Sequence, residues 1–142
     1  SDLNYLQFSN TLFNFYYEVG SIERFNKIRD RIEERVNQLS LNTIEELELS
    51  IKFNYNVCRY LWLQKDTEQA ISRISTTIKQ CKDYRTTYLL ADLYVLMGNI
   101  SKSISSKDNT LENYEVARFL YKLDENIPMM LKVEQYILKL TE

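Results

Sequence analysis

The stretch Leu63-Gln64-Lys65-Asp66-Thr67-Glu68-Gln69-Ala70-Ile71 decides the fold. Asp66 stands three positions before Gln69, the spacing of a capping box. In that arrangement a side-chain oxygen accepts an exposed backbone N–H at a helix start, and the residue three positions on reaches back. Downstream, Ala70, Ile71, Ile74, Ile78 and Cys81 recur at helical spacing. Upstream, Ile44, Leu47, Ile51, Cys58 and Leu61 do the same and stop where the polar residues begin. Helices joined by so few residues run antiparallel, so the stretch is the bend of a helical hairpin.

The same pattern extends in both directions. Asn42 with Glu45 and Asn109 with Glu112 are expected to open two further helices, with Asn in place of the usual Ser or Thr. Tyr5, Phe8, Leu12, Phe15, Tyr16 and Val19 are expected on the buried face of a first helix ending near Gly20. Ile22, Phe25, Ile28, Ile32, Val36 and Leu39 mark a second. Leu89, Leu93, Leu96, Ile100 and Ile104 hold phase through Gly98, which predicts one unbroken fifth helix with a close neighbour at that glycine. A sixth helix is expected from Leu111 to Leu123 around Ala117, and a seventh opens at Pro128 and carries Met130, Val133, Ile137 and Leu140. No period-two alternation competes with these stripes. The inner bends at Ser21, Asp66 and Asn109 lie 45 and 43 residues apart, the signature of stacked helix pairs.

Composition agrees. A chain of 142 residues with 44% apolar and 27% charged side chains makes one folded domain, 1–142. Two glycines and one proline are too few for the turns of an all-β fold. Histidine is absent, which removes the commonest general base and metal ligand. No glycine-rich phosphate loop or convergent acid pair replaces it, so neither catalysis nor a metal or cofactor is expected. A net charge of -2 provides no basic footprint for nucleic acid and no polybasic segment for a membrane surface. Cys58 and Cys81 sit in no metal-ligand spacing and are read as unpaired buried residues of a cytoplasmic protein. The start at Ser1-Asp2 suits the C-terminal part of a longer protein.

Two resemblances sharpen this reading. Leu63 to Ile71 resembles the inter-helix turn of tetratricopeptide repeats, entering the second helix at the small Ala70, and Leu90-Ala91-Asp92-Leu93-Tyr94 resembles a first helix. The first repeat departs, with Phe25 where the small residue is expected. Tyr88 to Gly98, Ala117 to Leu123 and the helix from Pro128 resemble the C-terminal peptide-sensing domains of Gram-positive RNPP regulators of the Rgg and PlcR type. That similarity is strongest over residues 53–142. It implies a right-handed tetratricopeptide-like stack that binds a short signalling peptide and controls an attached DNA-binding domain. The helix-turn-helix of such a regulator would precede Ser1.

In such a stack the first helix of each pair lines a concave groove. Projection places Asn10, Asn14 and Tyr17 there from the first helix, Tyr55, Arg59 and Trp62 from the third, and Tyr88, Asp92 and Asn99 from the fifth. The set suits an extended peptide. Carboxamides pair with its backbone, Arg59 forks onto a carboxylate, and the aromatics supply flat contact area. The same aromatics suit inter-repeat core, the asparagines suit solvent, and Arg59 suits a partner such as Asp92 within the stack. Glu33-Glu34-Arg35 reads as a solvated face, Glu23 and Lys27 as an i,i+4 pair, and Glu45, Glu46 and Glu48 as helix-start carboxylates. Two other functions fit the fold: a scaffold that holds an extended segment of another protein, and a dimerisation module making a homodimer.

Overall fold

The computed structural model describes residues 2–141. Seven helices account for most of them: α1 Asp2–Glu18, α2 Ile22–Asn37, α3 Ile44–Leu63, α4 Thr67–Asp83, α5 Leu90–Ser103, α6 Lys107–Leu123 and α7 Ile127–Leu140. There is no strand among the described residues. Consecutive helices pack on one another, and α1 on α3 and α3 on α5 join the pairs into an all-α repeat stack.

Five bends share one backbone solution. At Gly20, Lys65, Arg85, Ser105 and Glu125 the chain turns left-handed at positive φ. The amide of the next residue returns to a carbonyl five positions back, as from Asp66 to Leu61 and from Asn126 to Tyr121. The left-handed residue bonds three back, as from Lys65 to Trp62. This is the Schellman closure, which satisfies the last carbonyls of a helix. The last four bends fall twenty residues apart, so two bends make a repeat of forty. The inner bend of the third pair is therefore at Ser105, upstream of the expected Asn109. Asn109 lies inside α6, whose cap position is Ser106. The α3 start also moves by one residue. Thr43 Oγ1 accepts the Glu46 amide at 3.1 Å, and the Glu46 carboxylate returns to the Thr43 hydroxyl, so Asn42 and Glu45 are not the box. The cap at Asp66 holds, taking the Gln69 amide at 3.4 Å.

The first helix corrects the sequence reading most. Tyr5, Phe8, Phe15 and Val19 are exposed, and the buried side is Leu6, Ser9, Asn10 and Phe13. Its many aromatics allow two apolar stripes at helical spacing, and periodicity alone cannot choose between them. Packing chooses: Phe13 stacks on Phe25 at 3.8 Å and on Phe53 at 5.2 Å, and Phe25 stacks on Tyr60 at 4.2 Å. These four rings fasten α1, α2 and α3 together where later pairs close on the fully buried Ala70 and Ala117. Phe25 thus replaces the small residue by an aromatic stack.

Helix α5 runs through Gly98 without a break. A Cβ there would lie 2.5 Å from two ring carbons of Tyr114, so α5 and α6 approach too closely for a larger residue. The core continues from α1 to α5 and then into a smaller group, Ala91, Tyr114, Ala117, Tyr121 and Val133, that seats α7.

Candidate peptide-binding site

The buried side of α1 carries polar residues one turn apart: Asn10, Asn14 and, beyond them, Glu18. Across from them α3 carries Tyr55, Asn56 and Arg59. Arg59 gathers the set. Its Nη1 donates to Glu18 Oε1 at 3.1 Å, and its Nη2 donates to Asn14 Oδ1 and, at 2.8 Å, to Asn56 Oδ1. The guanidinium lies over the Tyr17 ring at 4.2 Å and the Tyr55 ring at 5.0 Å. Asn56 Nδ2 donates in turn to Asn10 Oδ1 at 3.4 Å.

The cluster is unequally wet. Asn10 and Asn56 are buried, whereas the Arg59 side chain is 20% exposed and that of Glu18 is 57% exposed. Glu18 is therefore the loosely held partner, since an exposed ion pair contributes little in water. Burial pushes the Tyr55 hydroxyl up to about 12, against the pull of the Arg59 charge, so the phenol is neutral beside it.

Two clefts flank the cluster. One, of about 230 Å³, is lined by Asn10, Gln7, Thr11, Lys52 and Tyr88 together with Glu45 and Glu48. The other, of about 620 Å³, lies at the far end of α1 and α3 between Tyr17, Trp62, Leu63 and Ile104. Of the nine residues expected in the groove, Asn10, Asn14, Tyr17, Tyr55 and Arg59 form one constellation, and Trp62 and Tyr88 line the flanking clefts. Asp92 and Asn99 are engaged by α6. Tyr121 Oη donates to Asp92 Oδ1 at 2.7 Å, and Tyr114 Oη donates to Asn99 Oδ1 at 2.5 Å. Burial, then the bond to Asp92, pushes the Tyr121 hydroxyl up. Arg59 meets Glu18 and not Asp92.

Sequence reasoning missed Glu18 and Asn56. Glu18 completes the four-residue ladder of Asn10 and Asn14, and Asn56 precedes Arg59 by one turn, so both were open to the same helical spacing. Glu33 is also not simply solvated: it pairs with Arg73, which donates from Nε to Asn54 Oδ1 at 3.0 Å. The Glu23–Lys27 pair forms at 3.4 Å. Cys58 and Cys81 are free and buried. Among the described residues no cluster of His, Cys, Asp and Glu could hold a metal, and no helix is long and apolar enough to cross a membrane.

A stack of antiparallel helix pairs presenting an Arg–Asn–Tyr constellation between flanking clefts defines a helical-repeat domain. The model of the RNPP family C-terminal domain matches residues 2–134, so the chain belongs to that family. No curated protein and no solved structure matches it significantly.

Proposed function

We propose that the domain binds a short signalling peptide across α1, α3 and α5 and passes its occupancy to an attached DNA-binding domain. Family membership supports a regulatory, peptide-binding role. The observation that carries the reading to these residues is the Arg59 constellation. A guanidinium lying over the Tyr17 and Tyr55 rings, with an exposed carboxylate as its changeable partner, suits a ligand carboxylate. The incoming group would take the place of Glu18. Tyr17 and Trp62 would receive an apolar side chain beside it.

Calorimetric titration of short synthetic peptides, in matched free-acid and C-terminally amidated pairs, tests this. A binding free acid should weaken by about 2–5 kcal/mol on Arg59→Ala, because a buried charge loses its partner. Glu18→Gln should strengthen it, since the competing carboxylate is gone. Equal binding of acid and amide, or normal binding by Arg59→Ala, sinks the assignment.

The dimerisation reading has its own support. Phe119 and Leu123 of α6 and Ile127 and Leu131 of α7 are large, apolar and exposed. Sedimentation equilibrium decides it: Phe119→Asp should convert a dimer to a monomer, and a parent that is already monomeric ends this reading.

A further inference from the structure

The direction of the hydrogen bonds in the constellation follows from one residue. Arginine carries donors and no acceptor. Both asparagines that meet Arg59 Nη2 must therefore turn Oδ1 toward it. Asn56 then has only its NH2 to offer and gives it to Asn10 Oδ1. Asn10, which is 2% exposed, has turned Oδ1 toward that NH2, and its Nδ2 is left without a partner. A flipped Asn10 would set two NH2 groups against each other. Three groups in series thus point one way, and the spare capacity at the end of the series is a donor.

Asn10 lines the cleft of about 230 Å³ between α1, α3 and Tyr88. Glu45 and Glu48 on that cleft outweigh Lys52 and disfavour an anion. A ligand that brings only donors leaves Asn10 Nδ2 as it was. A neutral carbonyl satisfies the donor without adding negative charge, and any N–H it carries has Glu48 to donate to.

We propose that Arg59 is a positioning residue which, through Asn56, turns Asn10 into a hydrogen-bond donor, making this cleft a subsite for a neutral carbonyl such as a peptide bond or a carboxamide. The assignment rests on the peptide reading for the natural source of that carbonyl, but the direction of the series does not.

The test uses two small probes on the whole domain, followed by NMR at the side-chain NH2 of Asn10. N,N-dimethylacetamide presents a carbonyl and no N–H, whereas methylammonium presents only donors. The Asn10 NH2 proton should move downfield saturably with the first, the direction of hydrogen-bond formation; methylammonium, which Glu45 and Glu48 attract, should not move it downfield, and the exposed Asn26 should respond to neither. Equal downfield response to both probes, or no response to dimethylacetamide, overturns the proposal on wild-type protein alone. Arg59→Met should then lower the affinity for dimethylacetamide by about tenfold, although this probe has no carboxylate to meet an arginine. Arg59→Lys, which still donates to Asn56, should retain it. Unchanged affinity in a folded Arg59→Met refutes the role of Arg59. Free-acid peptides that bind through Arg59 while dimethylacetamide leaves Asn10 still would spare the peptide reading and sink this one. The converse result would do the opposite.

Discussion

Gly98 is the residue at which two local forces oppose each other. An alanine there would gain about 1 kcal/mol of helix propensity. Its methyl would also meet the Tyr114 ring at 2.5 Å, and that ring is 2% exposed with its hydroxyl tied to Asn99. A ring so enclosed cannot move aside cheaply, and overpacking a core costs about 1–3 kcal/mol. Gly98→Ala should therefore lower stability, by up to about 2 kcal/mol, read from urea midpoints at unchanged slope. An unchanged or raised midpoint would mean that the α5–α6 contact is looser than described. The thiols make a second prediction at this scale. Burial pushes Cys58 from 9.0 up to about 12 and Cys81 up to about 11. Since the thiolate is the reactive form, both should react with an aromatic disulfide far more slowly in the folded protein than in denaturant at pH 8. Fast labelling of the native protein would contradict their burial.

At the scale of the element, the bends matter more than the helices they join. Only the first uses glycine at its left-handed position; Lys65, Arg85, Ser105 and Glu125 occupy the others. A side chain there costs about 1–2 kcal/mol that glycine avoids. Part of that advantage is lost to the freedom of glycine in the unfolded chain, roughly 0.5–1 kcal/mol. Lys65→Gly should thus stabilise the domain by about 0.5–1 kcal/mol, and a lower melting temperature would show that Lys65 does something besides turn the chain. Caps behave in the opposite sense. Thr43→Ala removes the oxygen that accepts the Glu46 amide and should cost about 1 kcal/mol, whereas Asn42→Ala, one residue earlier, should cost little.

For the whole molecule, alkali is the informative stress. Tyr55 is raised to about 12, Tyr88, Tyr114 and Tyr121 are raised too, and both thiols are raised, in every case chiefly by burial. The folded state therefore holds these protons more tightly than the unfolded chain does. Their contribution is fully present below the unfolded values of about 9–10 and is lost as pH climbs through the folded ones. Denaturation midpoints should be flat near neutrality on this account and fall steeply between about pH 9 and 12. Cys58→Ser with Cys81→Ser should remove the earliest part of that fall. An unchanged alkaline limb in the double variant would show that the tyrosines alone carry it.

Helix number, the bend at Asp66, the continuity of α5 through Gly98 and the small residues Ala70 and Ala117 were determined by the sequence itself. Each is a local matter of spacing, capping or side-chain size, and such signals survive without a partner in view. That Asn14 and Tyr17 of α1 and Tyr55 and Arg59 of α3 come together was legible for the same reason, because about one helical turn separates the members on each helix. The buried face of α1 was not legible. Its aromatics satisfy two helical stripes, and only the stack of Phe13 on Phe25 and Phe53 selects the one containing Leu6 and Asn10. Tertiary structure likewise decided that Arg59 meets Glu18 while Asp92 meets Tyr121. Those partners lie up to 41 residues apart on different helices. Which acid reaches a given arginine depends on how the pairs stack, a distance that no local pattern encodes.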